Sequence, residues 1–147
     1  MMFQEKLLMN KKPFKILGIE HIGVAKKNID GIDEIFLDIL DLNHIGSEEI
    51  KDQQVITDIF DTGMGKIEFL QSTNPNSPIS NFIKNKGEGI HHIALLVDHL
   101  QLALDYLKTK GIKLIDEAPR IGAEGLSIAF LHPKSTGGIL IELCEKK

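Results

Sequence analysis

Ile19-Glu20-His21-Ile22 and Ile90-His91-His92-Ile93 are two versions of one short stretch, the second beginning 71 residues after the first. Superposing them pairs His21 with His92. Each histidine opens an apolar, strand-like run, and each is followed by a later run with one carboxylate among apolar neighbours: Ile67-Glu68-Phe69, then Ile141-Glu142-Leu143. The intervals are 47 residues (21 to 68) and 50 residues (92 to 142). Repetition at this spacing is the mark of one supersecondary unit used twice and packed against its own copy. His21, Glu68, His92 and Glu142 are then expected to converge on one site.

The 147 residues suit one compact domain or two small modules sharing a core. A net charge of −4 with scattered lysines offers no basic stripe to neutralise phosphates, which argues against nucleic acid as a partner. No apolar run reaches the roughly 18 residues of a membrane span, and the first residues carry neither a secretion-type apolar core nor an Arg-rich transit segment. The expected location is the cytoplasm, and the single Cys144, read as a small core residue, fits a reducing compartment.

Residues 1–14 read as a tail and 15–147 as a single domain of two modules, about 15–73 and 88–147, joined by a linker at 74–87. From Lys15 to Ala25 the chain is mostly apolar, as in a strand covered on both faces. Ile29, Ile32, Ile35/Phe36 and Ile39/Leu40 then recur with a helical period, with Asn28 or Asp30 as N-cap. Strands follow around His44 to Glu48, Gln54 to Phe60 and Lys66 to Gln71. The linker starts with Asn74-Pro75-Asn76-Ser77-Pro78 and carries a short helix through Ile79, Phe82 and Ile83. The second module repeats the order: a strand at Ile90 to Val97, a helix from Leu100 to Leu107, and strands at Lys113 to Ile115, Leu126 to Leu131 and Gly138 to Cys144. Two βαβββ modules predict an α+β fold whose curved sheets surround a shared cavity.

Successive strand residues point to opposite faces, so His91 and His92 cannot both enter that cavity. The repeat selects His92; His91 and its counterpart Glu20 should face away. His44, His99 and His132 have no repeated partner and read as surface or turn residues. A buried carboxylate flanked by Ile and Phe, or by Ile and Leu, is costly without a cation or strong donors. Two imidazoles and two carboxylates without a thiolate suit one divalent ion per chain, Co²⁺, Zn²⁺, Ni²⁺ or Mn²⁺, with positions left for water or substrate.

The paired modules, with His, Glu, His and Glu on equivalent strands, resemble the vicinal oxygen chelate superfamily, the glyoxalase and bleomycin-resistance fold. Glu20-His21-Ile22-Gly23-Val24-Ala25, Gly89-Ile90-His91-His92-Ile93-Ala94 and the stretch from Phe130 to Leu143 are similar, within it, to the methylmalonyl-CoA epimerase family. So is Asn76-Ser77-Pro78-Ile79 with Phe82-Ile83. The resemblance covers Gly18 to Glu145 and is looser between Ser47 and Gly65. It implies that His21, Glu68, His92 and Glu142 are the metal ligands, with Glu68 where relatives have Gln or Glu. It also implies an acyl-CoA substrate, interconversion of (2R)- and (2S)-methylmalonyl-CoA through a metal-stabilised enolate, and a homodimer.

Epimerisation needs an acid/base on each face of the α-carbon. Glu142 is the candidate for one. Some relatives place a glutamate where this chain has Thr57, which leaves Asp58, Glu48, Glu49 or a bound water for the other. Lys134 is the candidate anchor for the CoA phosphates. Glyoxalase I shares the four ligand types but commonly holds glutathione carboxylates with arginines, and this chain has only Arg120. An extradiol dioxygenase would have no use for Glu68. A metal-free binding protein of the bleomycin-resistance type would need none of the four.

Overall fold

The structure, a computed structural model, describes residues 12–147; residues 1–11 of the expected tail lie outside them. Eight strands run through the chain: β1 (Ile16–Lys26), β2 (Asn43–Ile50), β3 (Val55–Asp61), β4 (Lys66–Ser72), β5 (Gly89–Val97), β6 (Arg120–Ile121), β7 (Ser127–Leu131) and β8 (Ile141–Glu145). They form one sheet in the order β2-β3-β4-β1-β5-β8-β7-β6. The first strand of each half pairs in parallel with the last strand of the same half, β1 with β4 and β5 with β8, while β1 and β5 join the halves antiparallel. The two four-strand units are therefore related across the β1–β5 seam, and the whole curls into the half-barrel of a glyoxalase-like fold.

Alternation along the strands decides what each face carries. Phe69 and Leu143 point opposite to their neighbours Glu68 and Glu142. On Phe69 and Phe60 packs Phe36 of α1 (Glu34–Ile39), with ring centroids 4.8 and 5.9 Å away. Leu143 packs with Leu100, Ala103 and Leu104 of α3 (Leu100–Thr109). Burying each such leucine contributes about 1.5–3 kcal/mol. α2 (Pro78–Lys86) lies against the other face, where Ile79 meets Ala25, Ile50, Val55 and Leu70. Ser77 caps α2, its hydroxyl accepting from Ser80 N at 3.1 Å, and Pro78 sits where no intrahelical N–H is needed.

Four details differ from the sequence reading. α1 begins after Asp33 rather than at Asn28 or Asp30, and Asn28 instead closes a local turn by accepting from Asp30 N at 2.8 Å. Its bonds run long, Leu40 N to Ile35 O at 2.9 Å, which gives the wider π-type turn. β1 is covered on both faces only from Glu20 onward, since Ile16, Leu17 and Ile19 are exposed. Lys113 to Ile115 contributes a single bridge, Leu114 to Leu131, because the Asp116 carboxylate takes the Phe130 N–H at 2.8 Å that a strand carbonyl would otherwise accept. No helix among the described residues is long and apolar enough to cross a membrane.

Candidate metal centre

The four strands at the middle of the sheet, β4-β1-β5-β8, each bring one member of the His/Glu set to the inner face. Register sets them in two rows: Glu68 beside Gly23 beside His92, and His21 beside Ala94 beside Glu142. Each row has a small residue in its middle. These are the residues two positions after each histidine, Gly23 and Ala94, so the repeat supplies space as well as ligands. A Cβ on Gly23 would fall 2.2 Å from His92 Cε1 and 2.5 Å from Nδ1. The imidazole of one half occupies the volume that the other half leaves open.

His21 Nε2 lies 3.1 Å from His92 Nε2, 3.3 Å from Glu68 Oε2 and 3.3 Å from Glu142 Oε2, and His92 Nε2 lies 3.7 Å from Glu142 Oε1. All four residues are buried. Glu68 Oε1 and Glu142 Oε2 have no hydrogen-bond partner among the described residues; the 3.3 Å approach of His21 to Glu142 Oε2 is an ion-pair distance without hydrogen-bond alignment. Donors bound about 2.0–2.2 Å from a common divalent ion would stand about 3.0–3.6 Å apart; His21, His92 and Glu142 lie close enough together to share such an ion, while Glu68 approaches it through His21 and groups with Glu20.

Burial dominates the electrostatics. It raises the Glu68 carboxyl and pushes Glu142 up to about 7, and it drives His92 well below the usual imidazole range. Burial also opposes charge on His21, but the Glu20 hydrogen bond and the charges of Glu68 and Glu142 outweigh it and hold that imidazole above its ordinary value. Two carboxyls that resist ionising and one imidazole that resists protonation make a cavity short of positive charge.

Behind each histidine stands its chain neighbour. Glu20 Oε1 is 3.2 Å from His21 Nδ1, and Lys66 Nζ approaches both Glu20 oxygens at 3.3 Å. His91 Nδ1 is 2.9 Å from His92 Nδ1. Neither is turned wholly away as expected: Glu20 is buried close to His21 and Glu68, and His91 borders two wider cavities together with His92; burial takes His91 down to about 4, so its neutral ring can accept the His92 N–H. Outer partners of this kind fix the tautomer and orientation of a ligating imidazole.

The other expected residues fall into place around this centre. Thr57 lines the same small cavity, about 10 Å³, as His21, Glu68, His92 and Glu142. Its hydroxyl donates to Glu48 O at 3.1 Å. Asp58 points to the other face, paired with His44 and accepting from Ser47 Oγ at 3.0 Å, so His44 is a half-buried partner rather than a free surface residue. Glu48 Oε2 accepts from Glu124 N at 2.8 Å, and Glu49 is exposed. His132 does sit in a turn, its Nδ1 accepting from Lys134 N at 3.0 Å. His92 also borders two wider cavities, of about 210 and 400 Å³. Lys134 borders none of the three; the lysine on the 400 Å³ cavity is Lys86. The sequence reading passed over Lys86 because an exposed helix-end lysine carries no pattern.

The model of the Glyoxalase/Bleomycin resistance protein/Dioxygenase superfamily matches residues 20–130. The mitochondrial methylmalonyl-CoA epimerase of Dictyostelium discoideum is 35% identical, over 87% of this chain and 78% of that protein. The crystal structure of the Mycobacterium tuberculosis methylmalonyl-CoA epimerase superposes with a TM-score of 0.85 at 29% identity, over 90% of this chain and 89% of that one. A methylmalonyl-CoA epimerase in complex with methylmalonyl-CoA and NH4+ superposes with a TM-score of 0.84 at 28% identity, covering 90% and 96%. A shared sheet, a shared length and identity spread along nearly the whole chain make this protein a member of the methylmalonyl-CoA epimerase family, within the glyoxalase/bleomycin resistance protein/dioxygenase superfamily.

Proposed function

We propose that the protein interconverts the two epimers of methylmalonyl-CoA, and that His21, Glu68, His92 and Glu142 hold one divalent ion for that purpose. The observation that carries the reading is that four buried donors, two with unpaired oxygens, line one small cavity, with His92 also bordering two wider ones, in a fold whose relatives include an epimerase bound to methylmalonyl-CoA. When bound, the ion supplies Lewis-acid stabilisation of the charge that develops on the thioester oxygen, worth several kcal/mol.

Glu142 is positioned to take the α-proton, because its carboxylate lines the cavity and has two oxygens, one to hold the ion and one left for the proton. The α C–H bond breaks, its electron pair passes to the thioester oxygen, and a proton returns to the carbon from the opposite side. On the β3 side of the cavity the polar side chains are Gln53 and Thr57, neither of them a base; the Thr57 hydroxyl is spent as a donor on Glu48 O and keeps its lone pairs to hold a water. We assign the second proton delivery to that water. Asp58 is turned away, and the Glu48 carboxylate is occupied by the 122–125 loop.

Burial of the four groups keeps bulk water from the reacting carbon. The 210 Å³ cavity suits the acyl unit and the 400 Å³ cavity the pantetheine arm, with Lys86 at its border to meet phosphate. The homodimer expected from the sequence belongs to the same reading, supported by exposed Ile35, Ile39 and Leu40 on and beside α1. The test is turnover of racemic methylmalonyl-CoA coupled to a stereospecific mutase, which consumes one epimer. Complete consumption of the racemate supports the reading. Arrest at half, together with efficient turnover of glutathione hemithioacetal, overturns it in favour of glyoxalase I.

A further inference from the structure

Arg120, the one arginine of the chain, begins β6 and borders the same 210 Å³ cavity as His91 and His92. Its guanidinium carbon lies 5.7 Å from the centre of the Phe130 ring, and that ring lies edge to face with the His92 imidazole, centroids 5.5 Å apart. One aromatic ring therefore separates this cation from the His/Glu cluster. The rest of the cavity border is largely apolar, including Leu70, Ile79, Phe130 and Leu140, with Asp52 and Gln53 as its other polar members.

The guanidinium is held but not satisfied. Asp116 Oδ1 lies 3.2 Å from Arg120 Nε, yet the pair is not aligned as a hydrogen bond, and Nε is buried without an acceptor among the described residues. No side-chain hydrogen bond among those residues involves the terminal nitrogens either. Asp116 is itself fixed by accepting Phe130 N at 2.8 Å. A planar donor fork within cation–π distance of an aromatic ring, with N–H groups unspent among the described residues at the border of a largely apolar cavity, is suited to receive a carboxylate.

We propose that Arg120 binds the free carboxylate of a malonyl-type thioester and so selects such substrates over simple acyl thioesters. The inference rests on the acyl-CoA reading above and names which part of the substrate this side chain reads. Among the anionic groups of such a substrate, only that carboxylate is attached to the reacting carbon; the CoA phosphates lie many bonds away along the pantetheine arm. The carboxylate is one bond from the reacting carbon, so it can turn toward Arg120 while the thioester oxygen on the other side of that carbon stays directed at the His/Glu cluster. Loss of the fork should cost a malonyl thioester much and a propionyl thioester, which lacks the group, nothing.

The experiment is calorimetric binding of malonyl-CoA and of propionyl-CoA to the wild-type protein, Arg120→Met and Arg120→Lys, so that no turnover is needed. Malonyl-CoA should weaken by about 10- to 100-fold in Arg120→Met and by less in Arg120→Lys, with propionyl-CoA within about threefold throughout. Addition of guanidinium ion at millimolar concentration should restore part of the malonyl-CoA affinity of Arg120→Met. Equal weakening of both thioesters, or no change in either, overturns the inference and leaves the epimerase reading standing. Wild-type protein that binds neither thioester overturns both. Should Arg120→Met fail to fold, the ratio of the two affinities in Arg120→Lys decides, because an unchanged ratio there also overturns the proposal.

Discussion

His21 Nε2 and His92 Nε2 face each other across the seam between the halves at 3.1 Å, closer than two lone pairs tolerate unless a proton or a cation lies between them. Glu68 and Glu142 flank the pair with oxygens that nothing else satisfies. The purified protein is accordingly expected to hold about one divalent transition ion per chain. Stripping it with a strong chelator should lower the melting temperature, and adding Co²⁺ or a similar ion should restore it. Metal analysis with thermal melts checks this; full activity in a demonstrably metal-free preparation would contradict the reading.

His92→Ala should lose the ion, whereas His91→Ala should keep it at full stoichiometry but with affinity lowered by about 10- to 100-fold, the usual effect of removing an outer partner. Glu20→Gln should behave like His91→Ala. Competition against a calibrated chelator measures all three. If His91→Ala lost the ion outright while His92→Ala kept it, the inward face of β5 would have been assigned one residue off.

Gly23→Ala adds a methyl where the His92 ring already stands, 2.2 to 2.8 Å from three of its atoms. The expected cost is about 1–3 kcal/mol in stability, together with loss of ion affinity, since the ring must turn or the strands must part. Ala94→Gly, the mirrored change, creates space rather than a clash and should cost less. Chemical denaturation and metal titration of both variants test the pair. A Gly23→Ala protein with wild-type metal affinity would refute the packing argument.

Incubating either epimer in heavy water should place deuterium on the α-carbon without changing the carbon skeleton. Glu142→Gln should slow that exchange by about 10²- to 10⁴-fold, because an amide cannot take the proton. Mass spectrometry of the recovered thioester gives both values.

Asp58→Asn should cost stability of about 1–3 kcal/mol through its His44 and Ser47 contacts and leave turnover within about threefold. Thr57→Val, which removes the water-holding hydroxyl, should slow turnover while barely moving stability. The reverse pattern would return Asp58 to the list of bases.

The repeat exposed the four convergent residues because a carboxylate among apolar neighbours is costly, and the same cost at matched places in both halves is hard to explain otherwise. The partners behind them were less visible. Alternation places Glu20 and His91 on the far side of the strand but does not say that each stands behind an imidazole. Gly23 gave no sign, since a strand glycine records only that room is needed, not whose ring fills it. The segment from Lys113 to Leu126 lacks a strand period, being tied down by a few scattered backbone bonds and by the Asp116 side chain, and with it Arg120 stayed unplaced. Lys134 drew attention through its motif, yet the turn that holds it directs only its backbone N–H, toward His132.

Parallel pairing of β1 with β4 and of β5 with β8 has a consequence for the order of events in folding. Each parallel pair needs a crossover made by an entire module, so His21 meets Glu68 only after 47 intervening steps of chain (21 to 68) are in place, and His92 meets Glu142 after 50 (92 to 142). His21 and His92 meet across 71. None of these contacts is local, and non-local sheets of this kind fold over milliseconds to seconds rather than microseconds. The centre should be among the last parts of the molecule to take shape, and nascent chains lacking β8 should expose an unpaired β5 edge while they wait for it.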